Sequence, residues 1–317
     1  MQGVTVKPLA PAKPDKPRTM AGDVWARFSR NLPAMMGLTV VVLMYLVALF
    51  APLLVTVDYT AIDLDNVRAG PTLHHYFGTD ELGRDVYSRV VWAARSAAFV
   101  SIFVPAISLA LGIFFGSVAG YFGGWLDTLI MRTGDVLFAF PGLLFVFFIA
   151  ATIKPTVLAW VKEIGLREFA KQGYVDYIVV FTALALVGWP GLARLIRGQF
   201  LALRNREFVL AARSIGVSRW RIALRHIMPN ALTPVIVAVS GRIGGTIAAE
   251  TSLSFLGIGL QPPNPSWGQM ISDYYGYWRS ADLWPLLFIP SLILVIVILA
   301  FTFLGDGLHE ALNPYLE

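Results

Sequence analysis

The sequence reads as an all-α polytopic membrane protein with six transmembrane helices. Of its 317 residues, 56% are hydrophobic and only 14% charged, well below the roughly 25% charged residues of an ordinary soluble domain. Its mean hydropathy is +0.66. Six apolar runs also approach the roughly 20 helical residues needed to cross hydrocarbon. The chain has no cysteine, which excludes a disulfide framework, a thiol nucleophile and a Cys-ligated metal. With four histidines, no metal centre is expected.

Residues 1–33 are rich in Pro and Lys and lack apolar periodicity, as expected for a tail that leads into a short basic helix. The preamble is longer than the charged region of a secretory signal, and the run after it has spanning length, so retention is expected. The apolar remainder, 34–317, starts with the run 34–57. It holds thirteen Leu, Ile, Val or Phe residues and no charge, so at about −0.4 kcal/mol each its insertion is favourable by about −5 kcal/mol. Runs at 97–120, 128–151, 177–196, 231–256 and 284–305 follow. The third carries Arg132 and Asp135 in its first turns and the fifth encloses Arg242 and Glu250, so both are expected to depend on neighbours. Between the third and fourth runs, 152–176 mixes four basic with three acidic residues, and a short helix lying at the outer surface is expected. Gly112, Gly116 and Gly120, and Gly241 with Gly245, form small-residue ridges that suit close helix contact, internal or between subunits.

Orientation follows from where Lys and Arg accumulate. Six lie in the tail (Lys7, Lys13, Lys16, Arg18, Arg27, Arg30). Eight lie in 194–225 (Arg194, Arg197, Arg204, Arg206, Arg213, Arg219, Arg221, Arg225), where Glu207 is the single acid. Together these are fourteen of the 25 basic residues, so the net charge of +5 reads as an orientation signal, not a nucleic-acid footprint. Four spans separate the clusters, so both fit the cytoplasmic side with both termini inside. The segment 58–81, with five acids and one Arg, suits the opposite face. The C-terminal tail disagrees, since Asp306, Glu310 and Glu317 have no basic neighbour there.

The basic segment between the fourth and fifth runs parses into two short helices. Phe208, Ala211, Ala212 and Ile215 fall at i, i+3, i+4, i+7, and Trp220, Ala223, Leu224 and Ile227 repeat the spacing. Gly216 suits a left-handed closing position, Ser218 a cap, and Pro229 a stop before the next span. One reading is an interfacial amphipathic helix resting its arginines on lipid headgroups. Against it, small residues anchor poorly in acyl chains but let another protein's backbone approach. A DNA-reading helix–turn–helix is disfavoured because the segment is pinned between two spans.

Ala211-Ala212, three residues, Gly216 and then Met228-Pro229 resemble the EAA loop of ABC-importer permeases. The consensus Glu is Leu210 here, with Glu207 one turn earlier, and the consensus Ile is His226. With the Arg-His-Ile-Met-Pro-Asn ending, these departures resemble the dipeptide/oligopeptide/nickel branch, as the second permease of its pair. Four further segments agree: Phe77 to Asp85 (FGTDELGRD), Asp135 with Phe140-Pro141-Gly142, Trp189-Pro190-Gly191 with Arg194 and Arg197, and Glu250 to Gly259 followed by Gln261-Pro-Pro and Trp267-Gly268. The resemblance spans about 25–317 and does not cover the long 152–176 segment. It implies a type I importer permease fold, in the inner membrane of a prokaryotic cell, that carries peptides together with a homologous sister permease, two ABC ATPase subunits and an extracytoplasmic solute-binding protein. It further implies that 205–228 is the coupling helix, with Glu207, Ala211, Ala212, Arg213, Gly216, Trp220, His226 and Pro229 as its working residues. No G-x-x-x-x-G-K-[ST] phosphate loop occurs in the chain, so ATP and Mg are expected on partner subunits, with no cofactor on this one.

A charge at mid-bilayer costs at least about 2.5–3.5 kcal/mol, so Glu250 and Arg242 must face protein or water. Two readings remain: an internal pair, with each other or with Arg132 and Asp135, or the lining of a translocation path or gate. In the outer loop, Asp80, Gly83, Arg84 and Asp85 fit either a capped turn with Arg84 and Asp85 paired, or a contact for the binding protein. His74 and His75 read as loop residues. A same-branch importer of nickel or another small solute remains an alternative. So does an ion-coupled secondary transporter. An intramembrane hydrolase ranks last, because no apolar run holds a histidine base.

Overall fold

The computed structural model describes residues 20–280 and 283–312; the first nineteen residues of the tail expected over 1–33, and Glu317, lie outside them. Six helices among the described residues are long and apolar enough to cross a membrane, as expected, but the third and fifth are displaced from their hydropathy runs and the second starts at Val86, ahead of its run at 97–120.

The short basic helix is α1 (Met20–Phe28). The first span, α2 (Leu32–Leu54), starts where the Asn31 side chain accepts from the Ala34 amide at 2.9 Å and Pro33 occupies the first turn, a position where its missing N–H costs nothing. The second, α3 (Val86–Phe122), is capped by Asp85, which accepts from Ser88 N at 2.8 Å.

The expected third span, 128–151, is instead two helices, α4 (Gly124–Ala139) and α5 (Gly142–Glu163). The chain breaks at Phe140-Pro141 because proline has no N–H for a continuing helix and forces the residue before it into extended backbone; Phe140 sits at φ −95°, ψ 142°. Arg132 and Asp135 therefore lie on α4, outside the span. The span itself runs on through 152–163, so most of the expected surface helix is membrane-length helix, followed by the short α6 (Arg167–Lys171). The fourth span is α7 (Tyr174–Leu203).

The expected fifth span, 231–256, is also broken. An apolar stretch runs 219–240 through α9 (Arg219–Arg221), a π-helical turn (Ile222–Ile227) and α10 (Met228–Ser240). It stops at Gly241-Arg242, and α11 (Ile243–Phe255) continues beyond. Pro229 does not end the helix. It lies in the first turn of α10, where the wider π turn before it absorbs the misfit. A short α12 (Trp267–Tyr274) precedes the sixth span, α13 (Trp284–Leu312).

Glycines set the closest approaches. A side chain on Gly112, Gly116 or Gly120 would strike Leu192, Ala193 and Ile196, or Phe200 of α7, so that ridge is internal packing. Gly305 of α13 packs on the Gly241 backbone, but the side-chain position of Gly241 itself meets only the Val237 carbonyl and Gly245 faces open space, so these two do not form one ridge. The main core joins α2, α3, α7, α11, α12 and α13. At one end, α1, the start of α2 and the end of α13 close together: Asn31 Nδ2 donates to Glu310 at 2.6 Å, and Phe28, Ala34 and Ala311 are buried there. One of the three acidic C-terminal residues that disagreed with the charge pattern, Glu310, is thus taken up by this contact.

Candidate functional site

Three places hold the residues singled out by the sequence. The first is the loop 204–228. Its α8 (Glu207–Ser214) is followed by Gly216 at φ +77°, the left-handed closing position expected for it. Val209 and Ala212 of α8 pack with Val217, Ile222, Ala223 and Ile227 and against Tyr121, Ile196 and Phe200. The face left outside carries Phe208, Leu210, Ala211, Ile215, Trp220 and Leu224, with Ile215 81% exposed. The helical spacing drawn from sequence thus mixed two faces: Ala212, Ala223 and Ile227 hold the loop together, while the other five of those eight residues point away. Ser218 precedes α9 without a side-chain capping bond. The Phe122 and Trp220 rings lie 4.9 Å apart, and the Arg213 guanidinium sits 6.0 Å from the centre of the Tyr121 ring. Beside them is a groove of about 350 Å³ lined by Tyr121, Phe122, Arg213, Val217, Arg219 and Ile222. Glu207 and Pro229 are exposed and His226 is half-buried.

Two Arg–Asp clamps hold α4 to α7 beside this loop, and sequence reasoning missed both. Arg197 makes a bidentate pair with Asp127 at 2.5 and 2.6 Å, and Arg194 donates to Asp135 at 2.6 Å with its guanidinium 4.5 Å from the Phe138 ring. The spacing of Arg194 and Arg197 on one helical face was the available signal.

The second place is a cavity of about 520 Å³ between α3, α5, α7 and the break joining α10 to α11. Of the four charged residues considered for a path or gate, only Arg242 lines it. Glu250 is 3% exposed and accepts from Ser254 Oγ, one turn along, at 2.5 Å. Asp135 is taken by Arg194, and Arg132 lies on α4. The expected pairing among these four is therefore not made: a hydroxyl, not a guanidinium, satisfies Glu250.

The third place, at the opposite end from the loop, is the segment 55–85 with α12. Asp80 is 1% exposed. It accepts from the amides of Leu82 and Arg84, both at 2.9 Å, from Arg84 Nε at 2.7 Å and from Tyr274 OH at 3.2 Å, with Arg89 Nε at 3.8 Å. Asp85 caps α3 and meets His75 Nδ1 at 3.0 Å, so Arg84 pairs with Asp80 and not with Asp85. Gly83, at φ +70°, has the Asp63 carbonyl where a side chain would stand. Asp80 and Asp85 therefore have no surface to offer a partner; Glu81, Arg68 and Tyr277 do. The Tyr277 hydroxyl donates to Glu81 and, with Arg68, holds its carboxyl below the ordinary range. A hydrogen bond from the Asn66 side chain does the same for Asp63.

Residues 112–317, the part holding the loop and most of the cavity wall, match the family model of the binding-protein-dependent transport system inner membrane component. The chain belongs to that family. Residues 19–71 of this permease match the N-terminal transmembrane domain of oligopeptide transport permease C. It is 39% identical over 306 residues to the glutathione transport system permease protein GsiD of Escherichia coli O6:K15:H31, covering 96% of this chain and 94% of that one. To the dipeptide transport system permease protein DppC of Alkalihalophilus pseudofirmus it is 35% identical over 319 residues, covering 98% of each. Among the described residues of the permease no group of three or more His, Asp or Glu side chains is placed to hold a metal ion.

Proposed function

We propose that this permease carries peptides, and that it does so as one half of a translocation path shared with a homologous sister permease. Two ABC ATPase subunits bind and hydrolyse ATP with Mg, and an extracytoplasmic binding protein delivers the cargo. The loop 204–228 and both termini face the cytoplasm, in keeping with the fourteen basic residues of the tail and of 194–225. Transport follows alternating access: ATP closes the ATPases, the docked loop moves with them, and the cavity opens to alternate sides.

One observation carries the coupling role. The loop's own core uses Val209, Ala212, Ile222, Ala223 and Ile227, yet Leu210, Ala211, Ile215 and Trp220 stay exposed. Large apolar side chains gathered on a rigid loop mark a protein contact. The neighbouring small Ala211 and Gly216 let a partner backbone come close. Gly216 and Arg213 shape the turn and groove, Glu207 begins α8, and His226 and Pro229 sit in the π turn and in the first turn of α10, which join the loop to the span. Because the loop is anchored through Phe200 and Ile196 of α7 and through Tyr121 of α3, a push on it reaches the helices that wall the cavity.

Ile215→Asp tests this. Its side chain makes no core contact, so insertion and thermal stability should be unchanged, while co-purification of the ATPase subunits and ATP-driven peptide uptake in vesicles should be lost. Normal uptake in this variant would contradict the docking role.

A further inference from the structure

The cavity walls are almost entirely apolar or glycine, and its polar side chains are Ser108, Thr246 and Arg242. Both hydroxyl protons are already committed, Ser108 to the Ala185 carbonyl at 3.3 Å and Thr246 to the Arg242 carbonyl at 3.0 Å. The Arg242 guanidinium forms no hydrogen bond or ion pair among the described residues, and the nearby acids are spent: Glu250 on Ser254 and Asp135 on Arg194. A fixed positive charge with several free donors and no acceptor thus projects into a space of about 520 Å³, within the roughly 300–1,000 Å³ of small-molecule sites. Arg242 is exposed to that space, so its charge keeps its solvent there and is free to meet a solute, as a charge on a solute path must be.

The guanidinium is also given room. It lies over Gly191 of α7, where a side-chain carbon would stand 2.9 Å from Nη1 and 3.2 Å from Nη2. At the break that presents it, Gly241 packs on the Gly305 backbone, and the Arg242 amide donates to the Val239 carbonyl at 3.0 Å. These contacts fix the backbone from which the Arg242 side chain projects, and Gly191 leaves room for its head group.

We propose that Arg242 is a cargo-selecting residue that receives a carboxylate of the solute in transit. A guanidinium matches a carboxylate with two parallel N–H···O bonds, and the remaining apolar wall accepts side chains of varied shape. A metal cation or a cargo with only positive charge meets repulsion at the same point. The inference rests on the reading of the chain as a peptide permease and names the group that the peptide must present.

The test is uptake by the complete importer, with its binding protein, reconstituted in liposomes. Radiolabelled trialanine and trialanine amide are compared, each flux divided by the binding protein's measured occupancy so that selection upstream cancels. Arg242→Gln should lower trialanine flux about tenfold or more and leave the amide unchanged or faster. Arg242→Lys, which keeps the charge but not the fork, should fall between. Equal losses for both peptides would mean a gate or an ion pair with the sister permease and would overturn the proposal, as would undiminished trialanine flux in Arg242→Gln. Wild-type importer that carries neither peptide would overturn the peptide reading itself; wild-type uptake of trialanine with an indifferent Arg242→Gln overturns this inference alone.

Discussion

At the end built from 55–85 and α12, one carboxylate, Asp80, gathers two backbone amides, Arg84, Arg89 and Tyr274 around itself and leaves 1% of its surface exposed. At the opposite end, the stretch 206–221 through α8 and α9 carries Arg206, Arg213, Arg219 and Arg221 at the surface and holds Ile215 and Trp220 out to solvent. Both segments bear motifs that the sequence singles out. One motif spends its functional groups on itself, and the other withholds them. A polar motif satisfied internally fixes a shape. A motif with unspent apolar side chains on a rigid loop is built for something outside the chain.

The largest effect should come from the first end. Asp80→Ala leaves Arg89, 2% exposed, without the carboxylate it pairs with at 3.8 Å, a loss of about 3–5 kcal/mol. Thermal unfolding of the purified permease in detergent should show it, and a melting curve like that of the wild type would break the contrast between the two ends. Ala212→Asp should be next. It places a charge in the small core of the loop, costing on the order of a few kcal/mol, and should loosen α8 as well as abolish uptake. Hydrogen exchange over 207–214 should therefore rise in Ala212→Asp and stay at the wild-type level in Ile215→Asp, although both lose uptake.

The smallest effect concerns pH at the first end. The Tyr277 hydroxyl holds the Glu81 carboxyl below its usual range, so the stabilisation is present at neutral pH and is lost as pH falls through that depressed value. Tyr277→Phe should move the loss to higher pH. Glu81 is exposed and Tyr277 half-buried, so less than about 1 kcal/mol is at stake, read as a shift in the acid limb of a stability–pH curve.

Span number and order were legible because insertion depends on summed hydropathy over about 20 residues, a quantity that sequence contains. Helix breaks were not. Phe140-Pro141 and Gly241-Arg242 lie within or beside apolar runs, and hydropathy does not register a missing N–H or a glycine pressed on Gly305. The loop's helices and the left-handed Gly216 were legible from periodicity and turn chemistry, but its faces were not: α8 has apolar residues on both sides, and only packing against Tyr121, Ile196 and Phe200 decides which side is core. Arg242 and Glu250 look like a pair at helical spacing, yet Ser254, four residues on, reaches Glu250 first. Arg84 and Asp85 are adjacent and look paired, but adjacent residues point apart, and the chain folds Arg84 back on Asp80.

The central claim, that the loop 204–228 docks on ATPase subunits inside the cell, is tested most directly by thiol labelling. The chain has no cysteine, so Ile215→Cys supplies a single thiol on it. In the complete transporter, a membrane-impermeant maleimide should leave this thiol unmodified in intact cells. In opened membranes it should react slowly while the ATPase subunits are present and rapidly once they are stripped. Rapid labelling from outside intact cells, or labelling indifferent to removal of the ATPases, would contradict the account.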